Sequence, residues 1–596
     1  MSKPSLLGRL GAFLTRARNF VMNTVFILLL LVVLFAIVDA FDTPGVPDGS
    51  ALVVNPEGIV VEESVPRDPF QDLWAADGVP ETDIHELVRA IESAADDSRI
   101  RMIVLDLDDL AHASAAHAEV IGAALARFRE AGKASVAVGE MYLQPQYAIA
   151  SHADAVYMHP DGFLILPGYA TFRTYFKSML DNLKLNMHVF RVGEYKSAVE
   201  PFIRDDMSEA AREANRVLVD GLWASYRQRI LTGRELDEES FDRYTVSFEE
   251  AVAQTGGDAG RAALEAGLVD ELMTADQMRS HIADTVGWDD DNDFNGIGYR
   301  AYLKTLGPPR SETGNVGVVF ARGTIQMGDD RSQAAADNLV RLIRKAREDE
   351  GVKALVLRVD SPGGSAFASE LIRQELELVQ LAGKPVVASM GSVAASGGYW
   401  ISSTSDRILA HPTTITGSIG IFGLFFDMEE SLSSIGIHTD GVGSSPWAGA
   451  MNPARKPGEH LQRFLQLNVE HGYRQFINLV ARGRDMDPDA VEEIAQGRVW
   501  IGSQAHELGL VDGLGSLADA VAAAAELANL DDYGIKRFTT PLSPRDVLIQ
   551  QLMDSAKLAP PVRIPGSMRK AWALAESLND PKDTYAICEP CISLMP

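Results

Sequence analysis

Residues 353–389 read KALVLRVDSPGGSAFASELIRQELELVQLAGKPVVAS, and the order of patterns in that stretch decides the fold. The apolar run at 353–359 predicts a buried strand. Asp360-Ser361-Pro362-Gly363-Gly364 predicts a turn, because proline presets φ and glycine reaches conformations that a Cβ obstructs. Over 368–382, Leu371, Ile372, Leu376 and Val379 share one helical face, with Gly383 just past the end. Residues 385–389 predict the next strand. Strand, turn, helix, strand is the repeating unit of a layered α/β fold with parallel strands.

The same unit occurs about 252 residues earlier. There 102–107 predicts a strand, a helix lies within 115–131, Gly132-Lys133 stands for Gly383-Lys384, and 135–138 predicts the second strand. The match continues downstream: Tyr147 aligns with Tyr399, Asp154 with Asp406, and His159-Pro160 with His411-Pro412. Ala266-Gly267-Leu268-Val269-Asp270 echoes Leu508-Gly509-Leu510-Val511-Asp512 at an offset of 242, so roughly ten residues of insertion or deletion intervene. One offset held through this many positions means an internal duplication.

Duplicated units keep their core pattern and lose chemistry in the copy that no longer needs it, so the differences between copies are diagnostic. At the first turn, Ser361-Pro362-Gly363-Gly364 faces Asp109-Leu110-Ala111-His112. At the second place, Ala394-Ala395-Ser396-Gly397-Gly398-Tyr399-Trp400 faces Tyr142-Leu143-Gln144-Pro145-Gln146-Tyr147-Ala148, so Ser396 becomes Gln144 and Gly397 becomes Pro145. A serine among alanine and glycine at a helix start has little steric cover, and the Gly397 N–H can serve an oxyanion where a proline has none to give. Ser418, in Thr416-Gly417-Ser418-Ile419-Gly420, is replaced by Leu166. The third place reverses the pattern. Arg191-Val192-Gly193-Glu194-Tyr195-Lys196-Ser197 belongs to the first copy and aligns near 441–447, which holds no lysine. No GxSxG elbow supplies a histidine partner, so a lysine base is the natural substitute. It must be neutral to take the serine proton, which requires a pKa several units below about 10.4.

The chain has 596 residues, 46% of them hydrophobic, enough for two or three packed domains. A net charge of -29 argues against nucleic acid as a partner, since such binders present a basic face. The first 19 residues carry Lys3, Arg9, Arg16 and Arg18 and no acid, and run into an apolar stretch at 20–38 broken only by Asn23 and Thr24. At about 1.5 Å per residue that stretch spans roughly the hydrocarbon core of a bilayer, with the basic flank expected in the cytoplasm. It is long for the core of a cleaved signal peptide, the alternative suggested by Val38-Asp39-Ala40. The only cysteines, Cys588 and Cys591, sit in Cys-Glu-Pro-Cys near the end of the chain, where a local disulfide fits better than a redox motif. Two cysteines and no HExxH give no metal site, and no cofactor is expected.

The strings Asp360–Gly364, Ala394–Trp400, Thr416–Gly420 and Gly193-Glu194-Tyr195-Lys196-Ser197-Ala198-Val199-Glu200-Pro201 resemble those of the S49 peptidase family, in its long two-domain bacterial form. The resemblance covers almost the whole chain beyond the apolar stretch. It implies a Clp-protease/crotonase-like fold in each half and a Ser–Lys dyad split between the halves. It also implies a homotetramer on the periplasmic face of the inner membrane that degrades remnant signal peptides and similar hydrophobic peptides. Carried over motif by motif, Ser396 is the nucleophile, Lys196 the general base, Ser418 the hydroxyl that orients the lysine, and the amides of Gly363 and Gly397 the oxyanion hole. The expected layout is a cytoplasmic tail (1–19), a single membrane anchor (20–38), a linker (39–50), an N-terminal domain giving the lysine (51–305), a linker (306–314), a C-terminal domain giving the serine (315–540) and a tail (541–596). Two other readings stand beside this one: a crotonase-like acyl-thioester enzyme, and a silent scaffold in which Ser396 caps a helix and Lys196 is a solvated surface charge.

Overall fold

The computed structural model describes residues 45–64, 79–307, 314–540, 580–582 and 584–594, with parts of 18–30. Apart from those parts of 18–30 and residues 45–46, they belong to one compact unit, 47–65, 79–540 and 565–596; the other unit, 1–46, 66–78 and 541–564, falls almost wholly outside them. The expected membrane anchor at 20–38 lies for the most part outside the described residues, among which no helix is long and apolar enough to cross a membrane.

Two sheets form the frame, the first parallel throughout and the second parallel except at its edge, where Val499–Ile501 runs antiparallel to Ile415–Gly417. In the first copy the order is Glu271–Leu272, Ala155–Met158, Ala134–Gly139, Ile100–Asp106, Ser50–Val54 and Gly296–Gly298, every pairing parallel. In the second it is Val499–Ile501, Ile415–Gly417, Val386–Ala395, Ala354–Ser361, Val316–Arg322 and Ile535–Arg537, with Arg407–Ala410 and Gly513–Leu514 branching from Val386–Ala395. Parallel strands are covered on both faces, and every residue of Ala354–Ser361 is accordingly buried.

The duplication recurs in the hydrogen bonds. Tyr147 Oη donates to Leu268 O as Tyr399 Oη does to Leu510 O, both at 2.7 Å. The Val156 N–H donates to Asp270 Oδ2 as the Ile408 N–H does to Asp512 Oδ2, again both at 2.7 Å. Lys133 Nζ caps the carbonyls of Ala94 and Asp97, and Lys384 Nζ those of Ala346 and Asp349. These are the bonds that close one strand–helix–strand unit, made twice.

Two elements near the site depart from the sequence reading. The strand expected to end at 359 continues through Ser361, and Gly363–Ser365 is a short strand rather than part of a turn. It is drawn out by partners distant in sequence: Ile325 stands opposite Gly364 on one side and Thr584–Ile587 pairs on the other. The strand expected at 385–389 runs from Val386 to Ala395, its first part pairing with Arg407–Ala410 and its end with Ile415–Gly417. That extension carries the chain to Ser396.

A third sheet joins the copies. Its order is Asn186–Val192, Ile421–Asp427, Thr584–Ile587, Gly363–Ser365, Ile325–Gln326 and Ala334–Ala335. Asn186–Val192, from the first copy, pairs antiparallel with Ile421–Asp427 along its whole length, from Asn186 opposite Asp427 to Val192 opposite Ile421. The copies also meet at a buried ion pair. Arg358 Nη2 and Nε donate to Glu62 Oε1 and Oε2 at 2.6 and 3.0 Å, and His117 and His85 approach the same carboxylate at 3.4 and 3.2 Å.

Candidate active site

Ser396 follows the last residue of the extended strand and precedes the short helix Gly397–Ser402. Its backbone has φ 57° and ψ -111°, a region that residues with a Cβ rarely occupy and that marks stored strain. Two bonds hold it there: the Ser396 N–H donates to Gly417 O at 2.8 Å, and Ser396 O accepts from the Trp400 N–H at 2.8 Å. The side chain makes no capping bond to the helix, so it is not the helix-cap serine of the scaffold reading. It is fully buried and points instead at the lysine.

Lys196 Nζ lies 2.7 Å from Ser396 Oγ, 3.0 Å from Ser418 Oγ and 3.0 Å from Ser418 O. A neutral amine has two N–H donors and one lone pair. Ser418 takes the donors, through hydroxyl and carbonyl, and the lone pair is left to receive the Ser396 hydroxyl proton. Only 2% of Lys196 is exposed, which removes the solvated-charge reading. Burial is what holds its amine well below the usual lysine range. Ser418, like Ser396, has positive φ, 52°, fixed by its N–H donating to Arg498 O at 2.7 Å.

The lysine reaches this place because its loop is docked on the second copy. After the strand Asn186–Val192, the Tyr195 N–H donates to Gln496 O at 2.9 Å, and the Arg498 guanidinium stacks on the Tyr195 ring at 4.2 Å. Gly497, at φ 85°, makes the fit possible: a Cβ there would stand 2.6 Å from Lys196 N and 2.8 Å from its Cα. Sequence reasoning missed Gln496, Gly497 and Arg498. Their signal, a glycine in Gln496-Gly497-Arg498, is common to many turns and becomes specific only beside the lysine.

Gly363 and Gly397 are brought together beside the serine. Gly363 has φ 93°, and a Cβ on it would lie 2.5 Å from Gly397 N and 2.1 Å from Ala586 O. Its N–H donates to Ser361 Oγ at 3.2 Å, a long bond that an oxyanion can displace. The Gly397 N–H, first in its helix, has no acceptor within that helix. Asp360 ties the two approaches together by accepting from the Val393 N–H at 2.9 Å, linking the strand that leads to Gly363 with the one that leads to Ser396. Burial, then the Glu62 charge, raises its carboxyl pKa.

The equivalent place in the first copy is filled. Gln144 Oε1 accepts from the Gly168 N–H at 2.8 Å, Tyr226 Oη donates to Gln144 O at 3.3 Å, and Leu166 is buried where Ser418 stands in the second. All five residues singled out from the sequence, Ser396, Lys196, Ser418, Gly363 and Gly397, therefore meet at one place. Such a group can perform nucleophilic acyl transfer: a neutral amine takes the hydroxyl proton, the alkoxide attacks a carbonyl, and amides receive the oxyanion. Cys588 and Cys591, the pair expected to bond locally, are joined by a disulfide. Among the described residues no group of His, Cys, Asp and Glu is placed to hold a metal ion.

Comparison with known proteins gives the following. The model of peptidase family S49 matches residues 127–289 and 379–531. Protease 4 of Salmonella typhi is 39% identical over 601 residues, covering 97% of this chain and 96% of that protein. Protease 4 of Haemophilus influenzae is 37% identical over 603 residues, covering 96% and 97%. A putative signal peptide peptidase SppA of Enterococcus faecium is 37% identical over 202 residues, covering 34% of this chain and 59% of that protein.

Proposed function

The chain belongs to peptidase family S49 and is a serine protease, and from that premise we propose a membrane-anchored endopeptidase that works with a Ser–Lys dyad, Ser396 as nucleophile and Lys196 as base. The observation that carries the dyad is the 2.7 Å contact between Lys196 Nζ and Ser396 Oγ, both of them buried. Neutral Lys196 takes the Ser396 proton as the oxygen attacks the peptide carbonyl, and the amides of Gly363 and Gly397 receive the developing oxyanion. The protonated lysine then gives its proton to the leaving amine. Water, deprotonated by the same lysine, releases the acyl-enzyme. Ser418 keeps the amine aimed throughout. The acyl-thioester reading has no use for an amine on Ser396.

The proposed substrates are remnant signal peptides and similar hydrophobic peptides, supported by the name of the Enterococcus relative and by the apolar stretch at 20–38, which would hold the enzyme where such peptides remain. The setting proposed is the inner membrane of a bacterium, single pass, with the N-terminus cytoplasmic, the protease periplasmic and the assembly a homotetramer.

The test is turnover of a fluorogenic apolar peptide together with labelling by a fluorophosphonate, comparing wild type with Ser396→Ala and Lys196→Ala. Both variants are expected to fall roughly 10³-fold or more in kcat while remaining folded. A Lys196→Ala enzyme that keeps wild-type turnover removes the dyad.

A further inference from the structure

The strand that leads to Ser396 loses its regular pairing at one point. Ala354–Ser361 and Val386–Ala395 keep register as far as Val359 opposite Met390, and resume it at Ser361 opposite Ala394. One residue, Asp360, therefore faces three, Gly391, Ser392 and Val393, in a bulge that ends three residues before Ser396.

A bulge takes backbone groups off the ladder, and buried ones must find other partners. Here side chains supply them. Asp360 Oδ1 accepts from the Val393 N–H at 2.9 Å, taking the place of a strand carbonyl. Thr414 Oγ1 donates to Gly391 O at 2.7 Å and accepts from the His411 N–H at 2.9 Å. Both side chains are buried. The first copy presses on the same three residues. Ser392 Oγ donates to Ser114 Oγ at 2.7 Å, Ser114 being the cap of the helix Ala115–Glu130, and a Cβ on Gly391 would stand 3.0 Å from Glu62 Oε1.

The copy without the serine is built differently here. Its strand Ala134–Gly139 stops, and Tyr142–Leu143, the counterpart of Ala394-Ala395, pairs with Leu164–Ile165 in a separate two-stranded sheet. Asp108 accepts from the Glu140 N–H at 3.0 Å, but at the surface. In the second copy the strand runs through the irregularity and on to the nucleophile.

A bulge bends its strand and re-aims the side chains beyond it. The residues beyond this one are Ala394, Ala395 and the strained Ser396, whose Oγ meets Lys196 Nζ at 2.7 Å. A misplacement of about 1 Å at reacting atoms costs ~10²-fold in rate. We propose that Asp360 and Thr414 are positioning residues for the nucleophile: by holding the bulge at 391–393 closed they fix where Ser396 stands relative to the amine and to the amides of Gly363 and Gly397, without touching substrate. This inference rests on the Ser396–Lys196 reading.

The experiment measures kcat and KM on an apolar peptide, fluorophosphonate labelling of Ser396 and Tm, all in the full chain. Asp360→Ala is expected to lose about 10–100-fold in kcat and labelling rate with KM within about twofold of wild type. Asp360→Asn keeps the Oδ1 acceptor and should bring both rates back to within about threefold of wild type. Thr414→Val and Thr414→Ser form an independent pair with the same expectations, and carry the test if Asp360→Ala does not fold. Asp406→Ala is the control, because Asp406 Oδ2 accepts from the Val386 N–H at 2.7 Å at the far end of the same strand: it should lower Tm and leave kcat near wild type. If the folded Asp360→Ala and Thr414→Val enzymes turn over at the wild-type rate, if Asp360→Asn is no faster than Asp360→Ala, or if Asp406→Ala loses kcat as they do, the bulge serves the fold alone and the proposal fails. If Ser396 labels in no form, wild type included, the dyad reading fails and takes this inference with it.

Discussion

At the scale of single residues the site rests on an amine whose pKa burial pulls well below the usual lysine range and a serine held at a strained φ. The charge state of Lys196 sets two expectations. On the proposed mechanism activity falls as pH drops through the lysine's depressed pKa, because only the neutral amine can act as base, so kcat/KM against pH should show an acid-side limb that moves when Ser418 is changed. Stability runs with the same sign. The folded amine binds its proton less readily than the unfolded one, so the unfolded state holds more protons between the depressed value and about 10.4, and stability rises with pH across that window. Lys196→Met is expected to lose turnover roughly 10³-fold or more, to melt higher than wild type at neutral pH, and to lack that alkaline rise in a Tm-against-pH series. Ser418→Gly separates role from fold: it removes the hydroxyl at 3.0 Å from Nζ but suits φ 52°, so Tm should hold while kcat drops by about 10–100-fold, in the range of a lost positioning contact. Their convergence was readable from the sequence because the duplication supplied its own control, with Gln144, Pro145 and Leu166 standing at the equivalent positions of the other copy.

At the scale of elements, strands and helices followed from periodicity, while their ends near the site did not. The strand reaching Ala395 and the strand Gly363–Ser365 are lengthened by Ile415–Gly417 and Thr584–Ile587, partners that leave no mark on the local pattern. The pairing of Asn186–Val192 with Ile421–Asp427 was equally hidden, since each strand reads as an ordinary apolar run until the two are set side by side. That pairing and Gly497 together deliver the lysine. Gly497→Ala should therefore undock the loop, whereas Gly383→Ala, also at positive φ but with nothing within 4 Å of the added Cβ, should cost only the backbone strain of about 1–3 kcal/mol. The comparison to make is kcat in both: Gly497→Ala is expected to fall well over tenfold at temperatures where it is still folded, Gly383→Ala to remain near wild type.

At the scale of the whole molecule, Lys196 and Ser396 come from different copies, and on the proposed mechanism activity depends on how those copies are held. Glu62 and Arg358 are central to that, 1% and 2% exposed. Burial alone would raise the Glu62 carboxyl, but the Arg358 charge and the hydrogen bonds of His117, His85 and Arg358 outweigh it and hold the pKa well below the usual range. A carboxyl depressed in the folded state contributes stability above its unfolded value of about 4.3 and loses it as pH falls through the folded one, so acid should loosen the copies from each other. Arg358→Met leaves a buried charge without its partner and should cost about 3–5 kcal/mol with loss of activity, while Glu62→Leu combined with Arg358→Met should recover much of both in denaturant titration and turnover. Division of the dyad also acts in time. Lys196 is synthesised 200 residues ahead of Ser396, which at about 5–20 residues per second is roughly 10–40 s. Throughout that interval the ribosome holds a chain that owns the proposed base and not yet the proposed nucleophile. On the proposed mechanism, the order of its birth thus keeps a peptide-cutting enzyme harmless to its own nascent chain and its neighbours.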